Sequence, residues 1–204
     1  MKTRLISFAL VFIVSFPALL HSQTDNWKLQ KDKNGIKVYT RRSLKSSLKD
    51  SKATAIFNAS AKEAFDLFID FDQHREWMDR IRASKLLKKA SEHEFYVYYE
   101  VQSPWPASDR DLAILYKVIK MQNGGYRMDA IAEPDYVPLK QGMVRIPEVI
   151  SSWEFIPKGN NKVEVIFTNH SDPGGYLPDW MVNMAATDNP YNTFTNMRKR
   201  LERN

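Results

Sequence analysis

The chain has 204 residues and a formal charge of +6, with 26% charged and 43% hydrophobic residues and no cysteine. That length allows one domain with a sizeable core, and the lack of cysteine excludes disulfides, thiolate metal sites, a cysteine nucleophile and lipidation on cysteine. The basic residues fall in short clusters interspersed with acids; they read first as solvated faces and second as a weak attraction to anionic lipid surfaces, and without a recognition motif nucleic acid is not an expected partner.

Residues 1–22 read as a targeting segment. Lys2 and Arg4 precede an apolar stretch from Leu5 to Leu20 that is interrupted by Ser7, Ser15 and Pro17, and small Ser22 suits cleavage. The stretch is short for a membrane anchor. The expectation is a signal peptide over 1–22 and a single exported domain over 23–204, periplasmic or secreted.

IKVYTRR (36–42) and SKATAIFN (51–58) read as strands. NASAKEAFDLFIDF (58–71) opens a helix: Ser60 caps it, Glu63 completes a capping box, and Ala64, Phe65, Phe68 and Ile69 are its apolar side. HREWMDRI (74–81) predicts a polar turn or short helical continuation around Trp77. In EFYVYYEVQSP (94–104), Phe95, Val97, Tyr99 and Val101 share one face; in RDLAILYKVIKMQ (110–122), Leu112, Ile114, Tyr116 and Val118 do. QNGG (122–125) turns the chain into YRMDAIAE (126–133), and KGNN (158–161) joins MVRIPEVISSWEFIP (143–157) to KVEVIFTNH (162–170). Together these make about seven strands with hairpin-type connections, hence an antiparallel sheet.

After the turn signals Asp172-Pro173-Gly174-Gly175 and Pro178, residues 179–202 follow a helical pattern with an apolar stripe that includes Trp180, Met181, Met184, Ala185, Phe194 and Met197. Pro190 predicts a kink in this helix. Helix, meandering sheet and long terminal helix predict an α+β fold in which a curved antiparallel sheet wraps around the C-terminal helix.

Enzyme motifs are mostly missing: there is no G-x-S-x-G elbow, P-loop, G-x-G-x-x-G or H-E-x-x-H. His74, His93 and His170 lack ligand-like spacing, so neither a metal nor a cofactor is expected. His170, Ser171 and Asp172 are adjacent on an extended chain, point apart and read as turn residues rather than a triad. Arg110, by strand alternation, lies on the face of Leu112, Ile114 and Tyr116. A guanidinium on an apolar face needs an anionic partner. An internal carboxylate would supply one as a salt bridge; a ligand phosphate or carboxylate is the other reading, suited to the guanidinium fork. The 5 Trp, 9 Tyr, 11 Phe and 8 Met read first as core, although flexible Met on a covering helix also suits an apolar ligand of variable shape.

Two longer patterns bear on family. Y-x-E-V-x-x-P-x-P-x-S-x-R-D is carried by Tyr98, Glu100, Val101, Pro104, Pro106, Ser108, Arg110 and Asp111, and D-P-G-G-x-x-P-x-W-x-x-N by Asp172 through Asn183. Val144-Arg145 falls between them, and Arg75 with Trp77 follows the early helix. In these motifs, over residues 26–203, the chain resembles the steroidogenic acute regulatory-related lipid transfer (START) domains, most closely their phosphatidylcholine-transfer branch. The resemblance implies a helix-grip fold enclosing an apolar tunnel for one lipid, without catalysis, and a contact between Arg110 and the lipid phosphate. Ser103 stands where that branch carries an aromatic, and the aromatics of its choline pocket have no one-for-one match here.

The expected function is binding, and possible transfer, of one phospholipid-like lipid by a monomer that touches membrane surfaces transiently. Arg110 would orient the headgroup. The tunnel lining would come from Val97, Tyr99 and Val101, from Leu112, Ile114 and Tyr116, and from Trp153 and Phe167; Trp180, Met181, Met184 and Ala185 would close it from the helix. The rival is a helix-grip enzyme, cyclase- or hydrolase-like, acting on a hydrophobic molecule through Asp111, Tyr99 or Tyr116, a fold-level analogy.

Overall fold

A computed structural model describes residues 26–43 and 48–202, so the signal peptide expected over 1–22 lies outside the described residues. The elements in chain order are β1 (Lys28–Lys33), β2 (Ile36–Arg42), β3 (Lys49–Phe57), α1 (Ala61–Ile69), a 3₁₀ turn (Phe71–Glu76), β4 (Ile81–Lys89), β5 (Glu94–Val101), β6 (Arg110–Lys120), β7 (Tyr126–Ala132), β8 (Val144–Arg145), β9 (Glu148–Gly159), β10 (Lys162–Asp172) and α2 (Asp179–Leu201). The sheet order is β1-β2-β3-β10-β9-β7-β6-β5-β4, antiparallel throughout, with β8 added in parallel to the start of β6.

The described residues thus hold ten strands where the sequence predicts about seven. β1 reads KLQKDK, a charged edge strand with little apolar alternation. The alternation of β4, the other edge, is broken by irregularities between Ile81 and Ala83 and between Leu86 and Lys88. The single run expected over 143–157 divides at Pro147, which cannot donate to a ladder, leaving β8 and β9.

Local chemistry explains the remaining elements. Ser60 Oγ accepts from the Glu63 amide at 3.1 Å while Glu63 Oε2 accepts from the Ser60 amide at 2.7 Å, the reciprocal capping box that starts α1. The turn between β9 and β10 places Gly159, Asn160 and Asn161 at φ of 75°, 50° and 51°, a left-handed run that these residue types tolerate.

The concave face of the sheet carries the core. Phe68 of α1 packs among Trp77, Tyr116, Trp153 and Phe155, and much of the aromatic surplus in the sequence is spent in this way. Phe194 of α2 stacks near Trp153 at 5.8 Å and lies 5.9 Å from Phe57. α2 runs unbroken through Pro190.

The tethers on α2 are uneven. Its C-terminal half is tied down: Arg198 donates to the carbonyls of Asn34 and Ile56, Glu202 accepts from the Asn58 amide at 3.0 Å, Asn196 donates to the Trp77 carbonyl, and Thr193 Oγ1 accepts from the Asp79 amide. Asp188 pairs with Lys31 at 2.7 Å. Before Asp188, the helix turns mainly apolar side chains, among them Met181 and Ala185, toward a cavity between it and the sheet.

Candidate functional site

Register defines one rim of the curved sheet. Ile81 pairs with Val101, Val101 with Arg110, Arg110 with Val144, Glu148 with Asp172 and Ser51 with Asn169. The starts of β3, β4, β6 and β9 and the ends of β5 and β10 therefore meet at one end of the molecule. Beneath the N-terminal half of α2 at this end lies a cavity of about 350 Å³. Its wall takes Tyr99 and Val101 from β5, Leu112, Ile114 and Tyr116 from β6, Trp153 from β9 and Phe167 from β10. Met181, Met184 and Ala185 close it from the helix.

Two residues expected in the lining stand elsewhere. Val97 is fully buried but packs in the core beyond the cavity. Trp180 is 64% exposed: successive helical residues are about 100° apart, so turning Met181 inward carries its neighbour out.

Arg110 also lines the cavity and is 4% exposed. Its Nη1 donates to Ser103 Oγ at 3.0 Å and to the Ser108 carbonyl. Its buried Nε has no hydrogen-bond partner among the described residues, nor does the guanidinium form an ion pair with any of their carboxylates. The adjacent acids are committed elsewhere. Asp109 binds Arg82 at 3.0 Å and accepts from the Ser103 amide. Asp111 accepts from Arg145 Nε and Nη2, both at 2.9 Å, and from Tyr98 at 3.1 Å. Arg145 continues to the carbonyls of Pro134, Val137 and Pro138, bracing the 134–138 loop. Burial pushes the Arg110 pKa down, whereas hydrogen bonding to Asp111 holds that of Arg145 up.

The far part of the cavity ends on a buried polar chain. His74 Nε2 lies 2.6 Å from the Phe68 carbonyl, which can only accept, so Nε2 carries the proton. Nδ1 then accepts from the Tyr99 hydroxyl at 2.7 Å, and Tyr99 Oη accepts from Tyr116 at 3.2 Å. Burial lowers the His74 pKa to about 4 and raises that of Tyr116 to about 12, with Tyr99 also pushed well up. All three groups are therefore neutral across the physiological range. Nothing in the sequence singled out His74, whose role depends on the 3₁₀ turn that carries it inward. Among the described residues no cluster of three His, Asp or Glu side chains offers a metal site.

The glycine pair before α2 has a steric cause. Gly174 has φ of 66°, and a Cβ there would lie 2.7 Å from the Arg145 carbonyl oxygen. The turn thus presses directly on β8, beside the strand start that carries Arg110. Asp172 Oδ1 stabilises it by accepting from the Gly174 amide at 2.9 Å.

Comparison with known sequences decides the family: the START domain profile matches residues 15–204. This chain belongs to the START domain family. The START domain here is 30% identical over 195 residues to an uncharacterized protein of Pseudomonas aeruginosa, covering 96% of this chain and 94% of that one. It is 25% identical over 179 residues to the human phosphatidylcholine transfer protein, covering 85% and 83% of the two chains. The crystal structure of a STAR-related lipid transfer protein from Xanthomonas axonopodis superposes with a TM-score of 0.82 at 35% identity, over 88% of this chain and 100% of that one. The human StAR-related lipid transfer protein 5 (TM-score 0.78, 20% identity, 89% and 88% coverage) shares the fold. So, more distantly, does a Streptomyces aromatase/cyclase, at a TM-score of 0.57 and 10% identity over 76% of this chain and 93% of that one. The helix-grip architecture expected from the sequence is therefore that of a START domain.

Proposed function

We propose that this START domain binds one phospholipid-like lipid in the cavity under α2 and transfers it between membranes without chemical change. The observation that carries the reading is Arg110: a buried guanidinium without a carboxylate partner, at the end of an apolar cavity. Leaving such a charge uncompensated is costly, and a headgroup phosphate would satisfy it through the donors that Ser103 and Ser108 leave free. Acyl chains against Leu112, Ile114, Trp153 and Phe167 would contribute roughly 0.8 kcal/mol per buried CH₂.

At about 350 Å³ the cavity lies at the small end of ligand pockets, whose range is roughly 300–1,000 Å³. A two-chain lipid would therefore require the N-terminal half of α2 to move outward. Trp180, at 64% exposure, and Tyr176, at 90%, flank that half and suit transient contact with a membrane interface. A catalytic reading lacks a comparable feature, because Asp111 is occupied by Arg145 and Tyr99 and Tyr116 are held neutral. The composition of residues 1–22 supports export, which N-terminal sequencing of the mature protein would test.

Native mass spectrometry and lipid extraction test the central proposal. The expected result is one lipid per chain from cell membranes and vesicle-to-vesicle transfer by the purified domain. Absence of both would overturn it.

A further inference from the structure

We propose that the lipid is net anionic, not zwitterionic: the cavity selects a headgroup with no compensating positive charge. This rests on the lipid-binding reading above and sharpens it.

Charge at the open end of the cavity carries the inference. Besides buried Arg110, the lining includes Lys49 at the start of β3 and Arg80 just before β4. Both are exposed, and neither forms an ion pair with a described residue. By register these chain positions lie on the same rim as Arg110. Arg80 adopts a left-handed backbone with φ of 64°, and its carbonyl accepts from the Gln102 amide at 2.8 Å, one residue from Ser103.

The lining carboxylates offset these cations only in part. Asp188 pairs with Lys31, whereas Asp79 keeps its charge, accepting only from the neutral amide of Asn192 at 3.2 Å, so Lys49, Arg80 and Arg110 face one carboxylate without a basic partner. A headgroup phosphate beside Arg110 would therefore lie between a buried cation and two at the mouth. A quaternary ammonium on that phosphate needs aromatic faces or carboxylates of its own. The aromatic lining is already engaged: Trp153 lies against Phe167 with centroids 4.4 Å apart, and Tyr99 stacks on His74. Arg110 is bonded to Ser103 and Ser108 and paired in the sheet with Val101 and Val144, none of which has an aromatic face or a carboxylate, and neighbouring Asp109 is paired with Arg82. Lys49 and Arg80 would repel a trimethylammonium but attract a phosphodiester or carboxylate with no cation attached.

The experiment uses the mature chain and mixed vesicles in which phosphatidylglycerol and phosphatidylcholine have matched acyl chains and share the same bilayer, so that attraction to the surface cannot sort them. After incubation, protein-bound lipid is quantified by mass spectrometry. Phosphatidylglycerol is expected to exceed phosphatidylcholine by about tenfold in the bound pool, the scale of one or two partly screened charge contacts. In the K49Q/R80Q double variant, whose positions are exposed and leave the core intact, phosphatidylglycerol loading should fall and the ratio move toward unity. A third arm adds oleate to the same vesicles: preferential uptake of oleate assigns a carboxylate ligand, and preferential uptake of phosphatidylglycerol a phosphodiester.

Equal loading of the two phospholipids by the unaltered chain, or a preference for phosphatidylcholine, overturns the charge selectivity while lipid binding stands. An unchanged ratio in the double variant overturns the role of the rim. Failure to load any lipid overturns the underlying function and this inference with it.

Discussion

Arg110 and Asp111 are neighbours in sequence and opposites in the fold: Arg110 faces the cavity without a carboxylate, whereas Asp111 is clamped on the other face by both nitrogens of one edge of Arg145. The period-2 pleat of β6 performs the separation. One residue is kept out of reach of its natural counterion while the next is fully satisfied, so equal truncations of the two should have opposite consequences.

Arg110→Met should stabilise the lipid-free protein, because it removes an incompletely solvated cation at little cost in packing. The expected gain is about 1–2 kcal/mol in denaturant unfolding, accompanied by a large loss of phospholipid loading. A destabilised, fully loading variant would count against the headgroup role.

Arg145→Ala should behave oppositely, leaving the buried carboxylate of Asp111 unpaired and freeing the 134–138 carbonyls. About 3–5 kcal/mol of stability should be lost. Adding Asp111→Asn should restore part of it in the same urea titration, which a mere packing defect at position 145 would not allow.

Stability should also depend on pH through His74. Its pKa is about 4 in the fold, below its ordinary value of 6.5, so the unfolded chain binds the extra proton first as pH falls. The contribution is complete above about pH 6.5 and is lost as pH falls from 6.5 to 4, the loss by then amounting to about 3 kcal/mol. His74→Gln should flatten that part of the stability–pH curve even if it lowers the plateau. An equally steep curve in the variant would place the titration elsewhere.

Substitution of two left-handed glycines separates backbone strain from crowding. Gly124 has φ of 79° and open space where a Cβ would stand, so Gly124→Ala should cost about 1 kcal/mol. Gly174→Ala adds a contact of 2.7 Å with the Arg145 carbonyl oxygen and should cost about 2–3 kcal/mol, read from the shift in denaturation midpoint.

Amide exchange should reveal where the cavity opens. Without lipid, residues 173–187 should exchange faster than residues 191–200, and lipid should slow the first group selectively. Uniform exchange along α2 would reject the opening described above.

Much of the fold was legible because local chemistry and global structure agree. The Ser60–Glu63 capping box, the glycine- and asparagine-rich turns and the alternation of β5 and β6 each carry their own signal, and the side on which Arg110 falls follows from alternation alone. β1 and β4 were not legible, because an edge strand need satisfy only one neighbour and these two read as charged or bulged. β8 consists of two residues whose strand character comes entirely from pairing with β6. At the site, Lys49 and Arg80 share the rim with Arg110 only through strand registers spanning the whole sheet, which no local pattern encodes. Trp180 illustrates the reverse error: its apolar character suited the lining, but the rotation of the helix assigned that place to Met181.

The uneven tethering of α2 has a mechanical consequence. The tethers run from Asp188 to Glu202, so the free arm of the helix is its first nine residues, roughly 13 Å long, with the fulcrum near Asp188. A tilt of about 25 degrees of that arm would carry its first turn about 6 Å, by the geometry of a rigid rod. The aperture could thus widen by more than the width of an acyl chain while Phe194 and Met197, beyond the pivot, scarcely leave their seats. Opening and structural integrity would then be governed by opposite ends of one element, and substitutions at one end need not disturb the other.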